Sequence, residues 1–188
     1  MARVFITGFE QLKVNLRNEF ANLKFATEEG MVDAAKMIKR SMDTSPPLIP
    51  KKIGNLRESW FIVSRSGVKE GNSPKFTGAQ GSKVSARHTM AVAMAEQAVK
   101  MSQDVEVEFG FSAPYATWVH EMGEDINWTT PGSGPKFFEQ ALKKKKSDII
   151  KVIQRTALIK GYGAGKGTVG GHVGRTYRRN IQTGQFTK

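Results

Sequence analysis

Apolar residues return at intervals of three and four through the first forty positions of the chain. Phe9, Leu12, Leu16, Phe20 and Leu23 share one stripe of a helix. Met31, Ala34, Ala35, Ile38 and Met42 form the buried face of its continuation, or of a second helix opened at Thr27-Glu28-Glu29. Gly30 either breaks the pattern there or is tolerated inside one long helix. Ser45-Pro46-Pro47 ends it, since proline cannot continue a helix and pushes its predecessor toward extended geometry.

The period then changes. Trp60-Phe61-Ile62-Val63 is aromatic and β-branched, with Trp60 and Ile62 on one face and Phe61 and Val63 on the other. Apolar residues on both faces predict a strand in the middle of a sheet or against a neighbouring subunit. Residues 66–85, rich in Gly, Ser and Lys, read as a mobile loop. From Ala86 to Met101 helical spacing resumes, and Met90, Met94, Ala98 and Met101 are expected to face the core. Val105, Val107, Phe109 and Phe111 alternate with Glu106, Glu108, Gly110 and Ser112, the pattern of a strand with one wet face, which Pro114 ends. Tyr115 to Met122 reads as a short helix or turn. Pro135 sits where a last helix can begin, through Phe138, Leu142, Ile149, Val152, Ile153 and Ala157. Four consecutive lysines, Lys143 to Lys146, sweep most of the way round that helix, so at least one must lie near its apolar stripe.

Charge divides the chain unevenly. The net charge is +12 over 188 residues; residues 1–142 hold +1 of it and residues 143–188 hold +11. Beyond Lys160 the sequence is loosened by Gly161, Gly163, Gly165, Gly167, Gly170, Gly171 and Gly174 and made basic by Lys166, Arg175, Arg178 and Arg179. Such a segment cannot bury enough apolar surface to fold alone and is expected to order only on a partner, or to stay a solvated tail. A basic arm meets nucleic acid or an acidic protein surface. The aromatics Trp60, Phe109, Tyr115, Trp118 and Phe137 lie in the neutral body, away from the basic run where stacking platforms for bases would be needed. A basic cytoplasmic nucleic-acid-binding protein is therefore the alternative reading, and protein contact the first. Cysteine is absent, which excludes disulfides and cysteine–zinc sites. The patch Val4-Phe5-Ile6 is too brief for a signal peptide, and no stretch approaches a membrane span.

Motifs that suggest chemistry fail on spacing. His120-Glu121 lacks the second histidine of a zinc-protease helix, because residue 124 is Glu124. His120 is expected instead to hydrogen-bond at a helix end or a subunit boundary. In the run from Gly161 to Thr168, Lys160 stands where a phosphate loop needs its first glycine and Gly167 where it needs Ser or Thr. Gly165, Gly167 and Gly170 have dinucleotide-binding spacing without the preceding strand. Glu121, Glu124 and Asp125 have no nucleophile near them in sequence. Neither catalysis, a metal nor a cofactor is expected.

Three segments in fixed order, Gly54-Asn55-Leu56-Arg57-Glu58-Ser59, Tyr115-Ala116-Thr117-Trp118-Val119-His120-Glu121-Met122-Gly123 and Pro135-Lys136-Phe137-Phe138-Glu139-Gln140-Ala141, resemble the small tail-component and tail-completion proteins of tailed bacteriophages. The resemblance covers roughly residues 8 to 155 and rests on the order and spacing of all three. Ile53 stands where a small hydroxyl residue is usual, residues 66–101 form a long insertion, and the arm over 161–188 exceeds the usual length. The resemblance implies an α+β domain over residues 1–160, with a small antiparallel sheet packed against an N-terminal helix and a long C-terminal helix. It also implies a closed ring, sixfold, between head connector and tail tube in the neck of the virion, assembled in the host cytoplasm and open to passing DNA. On that reading Leu56 anchors the turn into the core. Arg57, Trp60, Tyr115, Trp118, His120 and Glu121 are the expected subunit or partner contacts. Lys143, Lys144, Lys145, Lys146, Lys166, Arg175, Arg178 and Arg179 are expected to grip neighbouring subunits or an adjacent acidic ring, with transient contact to DNA in the channel as the competitor.

Overall fold

A computed structural model describes residues 9–123, 126–163, 178–179 and 186–187. The fold is α+β: a three-stranded antiparallel sheet with a pair of long helices on one face and a third helix on the other. Helix α1, Phe9–Thr44, is continuous through Gly30. A Cβ at Gly30 would stand 2.9 Å from the Ile153 Cα, so glycine is there to let the last helix lie against α1. That helix, α5 (Phe137–Gly163), starts near the end of α1, where Lys144 reaches the Pro46 carbonyl. It runs back along α1 until Lys160 pairs with Glu29.

Between the two long helices the chain forms α2 (Asn55–Glu58), β1 (Trp60–Ser64), β2 (Gly67–Glu70), α3 (Gly81–Met101), β3 (Val107–Phe111) and α4 (Ala116–His120). Strand order is β2-β1-β3, with Ile62 opposite Phe109 and Val63 opposite Val68. The two-faced apolar run thus lies in the middle strand. Trp60 and Ile62 join Ile38, Met42, Leu56, Phe137 and Ala141 in the main core. Phe61 and Val63 pack on Ala95 and Val99 of α3. Leu56 anchors the entry to β1 as expected.

Several expectations are overturned. Residues 66–85 hold β2 and the first turn of α3. The inserted helix covers one whole face of the sheet. Its buried positions are Val84, His88, Ala95 and Val99, and the methionines lie on its outer side, with Met94 68% exposed. Val84 and Val99 are β-branched and His88 has its own polar partners, so the inner stripe reads as less apolar than the outer one. The N-terminal stripe is likewise exposed from Leu16 to Leu23; Phe20 is 64% exposed. Strand β3 begins at Val107 rather than Val105, and α5 two residues after Pro135, since Lys136 has a positive φ of 54°. In the arm, Arg178–Arg179 (β4) pairs with Phe186–Thr187 (β5) as a short antiparallel ladder, where no intrinsic structure was expected. Lys166 and Arg175 lie outside the described residues.

Candidate apolar groove and its surroundings

The residues expected to form one contact surface are divided by the fold. Trp60 is in the core, 4% exposed, edge-on to Phe111 with ring centroids 5.1 Å apart. Its indole N–H donates to Glu70 Oε2 at 3.0 Å. It cannot be a surface contact. Arg57, expected to reach across a subunit boundary, is held inside its own chain. Its Nε and Nη2 both donate to the Ile49 carbonyl, at 3.2 and 3.0 Å, and Asp43 lies 3.9 Å away. Two donors of one guanidinium on a single carbonyl oxygen fix the segment after the Pro46-Pro47 turn against α2.

His120 does the ordinary work expected of it at a helix end. Its Nδ1 lies 2.7 Å from Glu121 Oε1, and its Nε2 faces the Glu139 N–H at 3.5 Å in the first turn of α5. An acceptor role at Nε2 places the ring proton on Nδ1, donating to Glu121. The Lys136 N–H donates to the His120 carbonyl at 2.8 Å, and Phe137 packs edge-on to the ring. Glu121 also pairs with Lys136 Nζ. The hydrogen bond from Lys136, then that from His120, hold the exposed Glu121 carboxyl below its ordinary value. This polar knot joins α4 to α5 within one chain.

The lysine run is also engaged locally. Lys143 pairs with Glu139 at 2.6 Å, Lys144 bonds the Pro46 carbonyl, and Lys145 lies 3.4 Å from Asp148. Lys145, half-buried, is the lysine forced toward the apolar stripe. These three make contacts within the body, while Lys143, Lys144 and Lys146 stay exposed.

Tyr115 and Trp118 do come together, at an apolar groove of about 470 Å³. One wall is Ile53, Gly54 and Leu56 at the start of α2; the other is Tyr115, Trp118 and Val119 of α4, with Ile126 and Trp128 beyond. Gly54 has φ 92°, a left-handed turn that a side chain would strain, and it turns Ile53 outward. Asn55 is buried and exchanges two hydrogen bonds of 2.9 Å with Thr77, its amide giving to the Thr77 carbonyl and taking from the Thr77 N–H. That clasp carries the chain from the groove to the start of α3, whose Val84 completes the floor. The far wall is tied back by Thr130, whose hydroxyl donates to the Lys51 carbonyl, and by Leu48 N–H on the Gly132 carbonyl. Burial pushes the Tyr115 phenol above its ordinary 10.0, so it stays neutral at physiological pH. Trp118 is 66% exposed and Lys51 and Lys52 stand on the rim.

In the sequence Asn55 stands out only as part of a motif. Its buried, doubly bonded amide has no signal in hydropathy, and its partner lies 22 residues away. Among the described residues no group of three or more His, Cys, Asp or Glu could hold a metal ion, and no helix is long and apolar enough to cross a membrane. The groove offers apolar contact and aromatic edges, which suit a side chain of another polypeptide. No protein-family model, curated protein or solved structure matches the chain.

Proposed function

We propose that this chain is a structural protein of a tailed-phage virion, a subunit of a ring in the neck or tail-completion region that joins the head connector to the tail and lets DNA pass. The observation that carries the reading is the unfinished apolar surface of an otherwise well-packed body. Phe20 on α1, Met94 on α3 and Trp118 on α4 are large, exposed, and each part of a wider apolar set. Scattered apolar residues are normal on a monomer, but contiguous patches on three elements mark contact surfaces. Strands β2 and β3 are the two edges of a small sheet, and assembly into a closed ring is one way such edges are kept from open-ended pairing.

The sequence resemblance supports the same reading, because its three segments meet in space. Leu56, Phe137 and Ala141 share one core cluster, with Tyr115 and Val119 packed against it. The methionine face of α3 suits a neighbouring protein, since thioether side chains repack against varied surfaces. The arm over 161–188 docks on an acidic adjacent ring in this proposal. A uniformly positive channel lining would hold phosphates and hinder DNA passage.

Labelling the polypeptide in purified virions and imaging them tests the assignment. Label at the head–tail junction is expected; absence of the chain from mature particles contradicts it. Deleting residues 161–188 should leave the fold of the body intact and abolish joining of heads to tails. An unchanged yield of joined particles, with tight salt-sensitive DNA binding by the intact chain, would favour the nucleic-acid-binding alternative instead.

A further inference from the structure

We infer that the free edge of β3 takes the basic arm of a second copy of this chain as a fourth strand. The inference rests on the reading of the chain as a self-assembling subunit with a docking arm, and names an acidic surface for that arm on the next copy.

Strand β3 pairs with β1 through consecutive residues without a bulge. The Ser112 N–H donates to the Ser59 carbonyl at 2.9 Å, and this sets the alternation of the ladder. Glu108 and Gly110 bond β1, while the N–H and C=O of Val107, Phe109 and Phe111 point to the opposite side. Among the described residues no backbone or side-chain group bonds them there. A regular edge with unpaired backbone groups is a template for another extended chain. The other edge of the sheet, β2, is shorter, and its pairing with β1 slips between Ile62 and Val63, an irregularity that blunts an edge.

Charge selects the occupant. Glu108 lies opposite Val63, which packs on α3, so it stands on the α3 side of the sheet; Glu106 follows the same alternation. That side is open at the edge, since a Cβ at Gly110 would meet nothing within 4 Å. Cations of neighbouring segments are engaged elsewhere, Arg65 with the Ser102 carbonyl and Lys145 with Asp148. Pairing of two β3 edges would crowd the Glu106 and Glu108 carboxylates of both copies onto one face.

The arm brings the opposite charge. Its run Thr176-Tyr177-Arg178-Arg179-Asn180-Ile181 sets strand-forming residues around two arginines, and Arg178–Arg179 is already a strand. Consecutive residues of a strand alternate between faces, so one arginine meets the glutamates in either register. In the single chain β4 pairs with β5 in a sheet of its own and leaves β3 open. The stretch from Gly163 to Arg178 spans up to about 50 Å when extended, enough to reach a neighbour.

The chain has no native cysteine, so one introduced pair reports the contact. Full-length Gly110→Cys and Asn180→Cys chains are mixed under mild oxidation, and the products are separated by mass. The mixed dimer is expected in several-fold excess over either homodimer. Adding Glu106→Lys and Glu108→Lys to the first chain should suppress it several-fold, and Arg178→Glu with Arg179→Glu in the second should restore it. Thermal unfolding followed by circular dichroism checks that each variant folds. A mixed dimer indifferent to these reversals would overturn the inference, and so would predominant Gly110→Cys homodimers. A chain carrying both cysteines that closes only on itself would place the arm on its own edge and overturn it as well. Rings that form without the mixed product would overturn it and leave the ring reading standing. A chain that neither cross-links nor assembles at any concentration would refute both.

Discussion

Two buried polar residues show how single side chains set this fold. His88 is 3% exposed beneath α3, with Nδ1 2.7 Å from the Ser112 hydroxyl and Nε2 2.6 Å from the Gly71 carbonyl. It bridges the residue just after β3 to the loop after β2. Glu28, on α1, accepts from the Ser66 N–H and hydroxyl at 3.2 and 2.7 Å. Burial raises its carboxyl, but hydrogen bonds from Ser64 and Ser66 and the charge of Lys69 outweigh that and hold it below the ordinary 4.5. The folded value therefore lies below the unfolded one, so its stabilisation is complete above about pH 4.5 and drains away as acid carries the pH down through the lowered value. Acid titration followed by circular dichroism should show Glu28→Ala losing about 2 kcal/mol at neutral pH, with the gap to the parent closing on acidification. A constant gap would mean that the charged form matters little. Gly30→Ala should destabilise by about 1–3 kcal/mol in urea melts although alanine is the better helix former, because the new Cβ meets the Ile153 backbone. Neither role is written locally. A glycine in a helical period shows only a missing side chain, and a histidine on an inserted helix shows nothing of partners 17 and 24 residues away.

At the scale of elements, periodicity located the helices and strands well and their faces less well. Strand β1 was legible because two apolar faces can be satisfied only by cover on both sides, which α1 and α3 supply. The faces of α3 were not. Methionines at 90, 94 and 101 make a stronger apolar stripe than Val84, His88, Ala95 and Val99, and only the sheet reveals which one is inside. Adjacent substitutions separate the two sides of α3. Ala95→Glu buries a charge against Phe61 and Val63 and should cost on the order of 3 kcal/mol or more in chemical denaturation. Met94→Glu, one residue earlier on the open side, should stay within about 0.5 kcal/mol. Equal losses would return the methionines to the core.

For the whole molecule, the body is closed by its own contacts at Arg57, Trp60 and His120, residues that looked outward in sequence, and it is open at α1, α3 and the groove. Of the six body residues expected as contacts, the fold thus buries Trp60 and ties Arg57 and His120 into their own chain. Tyr115 and Trp118 are the two expected contacts that the fold brings to one accessible surface. On the proposed reading, those exposed apolar faces are completed by other subunits. Native mass spectrometry of the full-length chain over a range of concentrations tests this most directly. The account predicts a closed species at six times the 20.8 kDa of one chain. A single chain at every concentration, with and without connector and tail-tube proteins, would contradict it.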